Sequence, residues 1–306
     1  MRIRANNIDI EVEDSGPVPG PGADRKERPV VLLIMGMGMQ LVAWPAQFID
    51  ALVEAGYRVI RLDNRDVGLS HHFDALGQPH MIWESLKFKL GWTPQAPYSV
   101  ADMAADALGV LDALSVRQAH VVGASMGGMI AQRLALAAPQ RVLSLTSVMS
   151  SSGAPGLPQA RPEVLRVLLS RPSGRSQQAV VDHYVKLFQV IGSPAYPSPE
   201  LEMRQIIGLA VARGFYPVGT LRQMLAVMAD VNRSAQLAGI SAPTLVVHGK
   251  ADPLLPFAHG EDTARRIAGA QLLGIDGMGH DLPPGVVTHL LAALLPHLQA
   301  ATVRAA

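Results

Sequence analysis

The chain has 306 residues, 49% apolar and 17% charged, so it can bury a sizeable core and does not have the composition of a disordered polymer. Its formal net charge is +1 and its Lys and Arg are scattered along the sequence, which gives no electrostatic case for nucleic acid or an anionic membrane. Cysteine is absent, which excludes disulfides and thiolate metal sites and is compatible with a reducing compartment.

The first residues, "MRIRANNIDIEVEDSG", alternate in character and carry charge early, so a signal peptide is not expected. The longest apolar run, residues 30–34 with the methionines after it, falls far short of the roughly 18 to 20 residues needed to cross a bilayer. The expectation is a cytosolic protein with no membrane insertion. Ile8, Ile10 and Val12 alternate with polar residues, which predicts a half-buried strand over 7–14. The cluster "SGPVPGPGADRKER" that follows reads as an exposed loop. Residues 30–34 are apolar throughout, as a strand covered on both faces is. A helix over 45–55 closes at Gly56, and a strand follows over 57–62. Ser99 as N-cap, with Asp102 in the first turn, opens a helix over 99–114. A strand over 120–122, a helix over 129–138 closed by Pro139 and a strand over 142–148 come next.

The rhythm then changes. Residues 151–236 read as helices broken by Pro and Gly, without a clear β-run. After them a strand over 244–248, a helix over 258–267, a strand over 271–275 and a helix over 286–297 restore the alternation. This order predicts an α/β fold with a mostly parallel sheet between helices. The core is expected over 1–150 and 239–306, with 151–238 as an inserted helical cap. Ligands of such sheets lie beyond the carboxyl ends of the strands, where a cap would roof them.

The strongest chemical signal is "HVVGASMGGMIAQ". It places Gly123-Ala124-Ser125-Met126-Gly127, a G-x-S-x-G pattern, between an apolar strand and a helix. At so tight a turn the chain crosses itself, and side chains two residues either side of the serine would clash. The turn lifts the Ser125 hydroxyl to the N-terminus of a helix, where developing negative charge is favoured. A free serine is a poor nucleophile and needs a base and an orienting acid. Asp252 lies just past one late strand, in "LVVHGKADPLLP", and His280 just past the next, in "LLGIDGMGHDLP". The order Ser125, Asp252, His280 suits this architecture.

Competitors are weaker. Asp281 adjoins His280 and is badly placed to reach its ring, pointing instead to the cap or to solvent. Asp276 reads as a turn residue, His71 and His72 as solvated and His248 as structural. No metal-ligand spacing is present, so no metal is expected. An acyl-transfer site also needs two fixed donors for the carbonyl oxygen. One is the backbone N–H of Met126; the other falls to Met37, in the glycine-flanked loop "MGMGMQ" at 35–40. A dinucleotide loop would need a third glycine at position 41, which is Leu41.

Together "LLIMGMGM", "RLDNRDVGLS", "VVGASMGGMIAQ", "VHGKADPLLP" and "GMGHDLP" resemble the α/β-hydrolase superfamily over nearly the whole chain. Within it the chain looks most like bacterial esterases of the aclacinomycin methylesterase type. The resemblance implies a cofactor-free serine carboxylic ester hydrolase, with Ser125 as nucleophile, His280 as base and Asp252 as acid. It also implies that 63–70 is scaffold, its Arg and Asp tying loops together. Met35 stands where many members carry histidine. Dehalogenases and epoxide hydrolases of this fold carry aspartate at the elbow, and Ser125 speaks against both. The same triad would serve a lactonase or perhydrolase, whereas a member that only binds a ligand usually lacks a triad residue. Met39, Leu254, Leu255 and Leu282 flank these positions and predict an apolar pocket for a neutral, small-molecule ester. The sequence leaves the acyl and alcohol size, and any homo-oligomer, open.

Overall fold

The computed structural model describes residues 1–16 and 28–305. The predicted Pro/Gly-rich loop therefore lies mostly outside the described residues. The elements in chain order are β1 (Arg2–Ala5), β2 (Ile8–Asp14), β3 (Val30–Ile34), α1 (Ala46–Glu54), β4 (Arg58–Leu62), α2 (Met81–Lys89), α3 (Val100–Ala113), β5 (Ala119–Ala124), α4 (Met126–Ala137) and β6 (Val142–Val148). A helical stretch follows: α5 (Pro162–Leu168), α6 (Gln177–Ile191), α7 (Glu200–Gly214), α8 (Pro217–Ala229) and α9 (Arg233–Gln236). The chain then returns to the sheet with β7 (Thr244–Gly249), α10 (Ala258–Arg266), β8 (Gln271–Ile275) and α11 (Pro284–Ala305).

The eight strands form one sheet in the order β1-β2-β4-β3-β5-β6-β7-β8. β1 and β2 run antiparallel to their neighbours, and all other pairs are parallel. β3 shows why its residues are apolar without exception. Strand side chains alternate between faces. Val30, Leu32 and Ile34 pack with residues of α3 and α4, while Val31 and Leu33 pack with residues of α1 and α11. The chain leaves β3 toward β4 on one side and returns to β5 on the other. The sheet therefore has its switch point between β3 and β5, and the loops after these two strands face one crevice.

Several elements differ from the sequence reading. β1 pairs with β2 as a hairpin through Asn6 and Asn7, both at positive φ, and a four-residue strand is too short for its alternation to be read. α2 lies in a stretch read without any element, because its apolar residues follow no clean helical stripe facing the core. α4 starts at Met126 rather than 129. α11 runs on through Pro296. α11 is long and apolar enough to cross a membrane, but its Val286, Val287, Leu290, Leu294 and Leu298 are buried against the sheet. Ser99 caps α3 as expected: its Oγ accepts from the Asp102 N–H while Asp102 accepts from the Ser99 N–H.

The segment 63–70 is the fastening point between sheet and helices. Arg65 donates from Nε and Nη2 to the two Asp106 oxygens at 2.6 and 2.7 Å, with its guanidinium over the Phe73 and Tyr98 rings. Asp63 accepts the N–H of Leu41 and of Leu69 and pairs with Arg213 of α7. Asp66 pairs with Arg222 of α8 at 2.8 Å. Each of these carboxylates is buried, so each depends on its partners to offset lost hydration. Asp106→Ala is expected to destabilise the protein by roughly 3–5 kcal/mol in urea unfolding, because it strands the buried Arg65 charge, whereas Arg65→Leu with Asp106→Leu should cost much less.

Candidate active site

The turn between β5 and α4 is held by contacts that admit only glycine at two places. A Cβ on Gly123 would lie 2.1 Å from the Gly127 carbonyl oxygen, and one on Gly127 would lie 2.0 Å from that of Ile34. The backbone between them takes an unusual path, and Ser125 sits at φ 54, ψ −121. A non-glycine residue there is strained and persists only because its surroundings fix it. Here the Ser125 N–H donates to the Val148 carbonyl at 2.9 Å, and the Ser125 carbonyl accepts from Ser150 Oγ at 2.6 Å.

The side chains read from the sequence come together. His280 Nε2 lies 3.0 Å from Ser125 Oγ, and His280 Nδ1 lies 2.7 Å from Asp252 Oδ2. The other Asp252 oxygen accepts the N–H groups of Leu254 and Leu255 at 2.9 and 2.8 Å. Burial alone would push the Asp252 carboxyl up, but the adjoining His280 ring and the Leu255 N–H outweigh it and hold the group below its ordinary value. His280 is anchored by its own N–H, which donates to the Ile191 carbonyl at the end of α6 at 2.7 Å. His248 is buried and donates from Nε2 to the Leu255 carbonyl, 3.6 Å from Asp252, which makes it a support of the Asp252 loop.

The loop at 35–40 answers to the same crevice. A Cβ on Gly36 would lie 3.1 Å from Ser125 Cβ, so the backbone passes against the serine. Asn64 Nδ2 donates to the Met35 carbonyl, and the Gly38 N–H donates to Gln223 Oε1 of α8, whose amide nitrogen in turn donates to the Arg65 carbonyl. Met37 follows Gly36 in this loop. Met126 opens α4, with its side chain in the core beneath.

Ser125, His280, Met37, Met39, Leu254 and Leu282 all border one cavity of about 2160 Å³. That is larger than the roughly 300 to 1,000 Å³ of ordinary small-molecule sites. Helices α2, α6 and α8 supply much of the wall. Leu255 departs from expectation: its side chain packs toward the core beneath α4, because the turn that brings its N–H to Asp252 directs it away from the cavity. His72 is not simply solvated but stacks on Tyr216 at 4.0 Å. Asp276 lies in the turn after β8, as expected, where the Met278 N–H donates to the Ile275 carbonyl, and its exposed carboxylate pairs with Lys250. Among the described residues no group of three or more His, Asp or Glu is arranged to hold a metal ion.

Residues 29–283 match the family model of the alpha/beta hydrolase fold. The chain belongs to this family. It is 34% identical over 295 residues to rhodomycin D methylesterase DauP of Streptomyces sp. (strain C5), which covers 89% of this chain and 92% of the relative. The counterpart DnrP of Streptomyces peucetius is 33% identical over the same shares. The fold is also that of a meta-cleavage product hydrolase from Pseudomonas fluorescens IP01, with TM-score 0.73 at 20% identity over 98% of both chains. The α/β-hydrolase core explains the placement of its functional loops at strand ends. It does not account for Ser193, which the sequence offered no signal to find. The Gly279 N–H donates to Ser193 Oγ, and Ser193 Oγ donates to Asp281, so the histidine loop is tied to the end of α6.

Asp281 therefore faces the helical stretch, as expected, but as a partly buried group. Burial pushes its carboxyl up to about 6 against the hydrogen bonds from Ser193. A folded value above the ordinary 3.8 means that the native state holds the proton longer than the unfolded chain as pH rises. The penalty is absent below about pH 4 and grows as pH climbs through the window up to about 6, reaching at most roughly 3 kcal/mol. The stability of Asp281→Asn relative to wild type, from urea unfolding across this window, should rise with pH; a constant difference would contradict it.

Proposed function

We propose that this α/β-hydrolase is a serine carboxylic ester hydrolase that works without a cofactor on neutral, fairly apolar esters. The observation that carries the reading is the unbroken hydrogen-bond chain from Asp252 through His280 to Ser125 at the floor of a largely apolar cavity. In this mechanism His280 Nε2 takes the Ser125 proton as Oγ adds to the ester carbonyl, while Asp252 fixes the ring's tautomer and supports its positive charge. The N–H groups of Met37 and Met126 receive the developing oxyanion. The intermediate collapses, His280 returns the proton to the departing alcohol, and the acyl group stays on Ser125. A water, relieved of its proton by the same ring, then releases the acid and restores the serine.

The substrate we favour is a methyl ester of a bulky, apolar acid. Two relatives carry the name rhodomycin D methylesterase. The cavity volume suits bulk on the acyl side, and Met37, Met39, Met149 and Met224 on its wall can adapt to an irregular body. The stretch 151–238 acts as a lid that sets which acids fit.

Ser125→Ala is expected to fold and to lose turnover by several orders of magnitude, leaving at most roughly 10³- to 10⁴-fold catalysis over water. A serine-directed phosphonate should label wild type at Ser125 and leave the variant unmodified; a folded variant retaining most activity would remove the assignment. Asp252→Asn is expected to cost on the order of 10⁴-fold in kcat, and Asp281→Asn far less. The reverse ranking would mean that the acid is misassigned. Methyl esters of bulky polycyclic acids should be cleaved with higher kcat/KM than acetate esters of bulky alcohols, in the presence of EDTA. The opposite preference would overturn the substrate reading while leaving the triad in place.

A further inference from the structure

The large cavity is bordered in part by α2 and by residues 168–175, at the end of α5 and in its connection to α6. α2 is unlike an ordinary surface helix. Ile82, Leu86 and Leu90 recur every four residues and so share one face, and they are 91%, 46% and 61% exposed. Trp83 and Leu169 border the cavity with Ile82 and Leu86, and Phe88 and Trp92 lie in the same stretch of chain as α2, all exposed. Single exposed apolar residues are ordinary, but this many on and beside one cavity-bordering helix mark a surface that meets something apolar.

The charges of these two stretches of chain are also unbalanced. Residues 80–97 and 161–175 carry Lys87, Lys89, Arg161, Arg166, Arg171 and Arg175 against Glu84 and Glu163, a formal excess of +4. Glu84 is already committed, to Lys87 Nζ and to the Gln95 N–H. Lys89, Arg171 and Arg175 border the opening and make no ion pair among the described residues. The +1 of the whole chain, which by itself offers no case for an anionic surface, conceals this local excess.

We propose that this rim docks peripherally on an anionic lipid bilayer, so that an apolar ester dissolved in the bilayer passes straight into the cavity. The apolar and indole side chains would sit at headgroup depth while the Lys and Arg heads meet lipid phosphates. A second copy of the chain is the poorer occupant, because it would set one basic rim against another. The docking needs no chemical step, so it stands or falls separately from the ester-hydrolase reading.

The tryptophans supply the readout. Of the three, Trp44 is buried and stacked on Phe48, leaving Trp83 and Trp92 to report on the rim. Vesicles of phosphatidylcholine and phosphatidylglycerol in equal parts should shift the emission to the blue and carry the protein into the pellet. Both effects should weaken in high salt and be at least about tenfold smaller with phosphatidylcholine alone. Arg171→Glu with Arg175→Glu should reduce partitioning by at least about tenfold. Leu90→Ser with Trp92→Ser, both outside the cavity, should reduce it too while leaving turnover of a soluble short-chain ester unchanged. Absence of anionic-vesicle binding, or equal binding by the charge-reversed variant, would overturn the proposal. So would a concentration-dependent dimer lost in the Leu90→Ser, Trp92→Ser variant without any vesicle binding, which would give the face to a second copy.

Discussion

The structure depends on one close crossing, where the first turn of α4 passes over the carboxyl end of β3. Gly127 has no room for a Cβ against the Ile34 carbonyl. That contact sets the height of α4 above the sheet and with it the strained backbone of Ser125. It also places the first amide groups of α4 beside the loop that leaves β3, so two segments far apart in sequence share one small volume. The strain at one residue is affordable only because central strands β3, β5 and β6 surround it with parallel ladders and apolar side chains on both faces.

Outward from this point the architecture relies on buried charge. Asp63, Arg65 and Asp66 lie within four residues and reach three different partners: α7, α3 and α8. Hydrophobic burial alone would hold these helices near the sheet but would allow them to slide. Bidentate and charge-assisted hydrogen bonds have fixed lengths and directions. A segment that contributes no atom to the Asp252–His280–Ser125 hydrogen-bond chain therefore decides where the walls of the cavity stand.

Much of this was legible in the sequence. The β3 run, the capped α3 and the glycine-flanked Ser125 each follow from local rules of alternation, capping and steric clearance, and the fold class followed from their order. The positions of Asp252 and His280 were legible because strand ends in a parallel sheet are functional by topology. What could not be read depended on contacts between distant segments. Ser193 meets Asp281 only because α6 ends against the histidine loop. Leu255 looked like a pocket residue by proximity, but a hydrogen-bonded turn reverses its direction. α2 carries apolar residues that point outward, so a rule that equates helices with a buried apolar stripe passes over it.

Gln223 gives the cavity a fixed side and a free side. One amide group accepts from Gly38 and donates to Arg65, so α8 cannot swing outward without stripping a buried amide of its acceptor. α2 has no such anchor: among the described residues the hydrogen bonds of its side chains, Glu84 with Lys87 and Gln95, stay within its own neighbourhood. The two walls thus differ in the work needed to part them. A molecule too large for the resting aperture would enter by displacing α2, while the half of the cavity that holds Ser125 and the 35–40 loop keeps its shape.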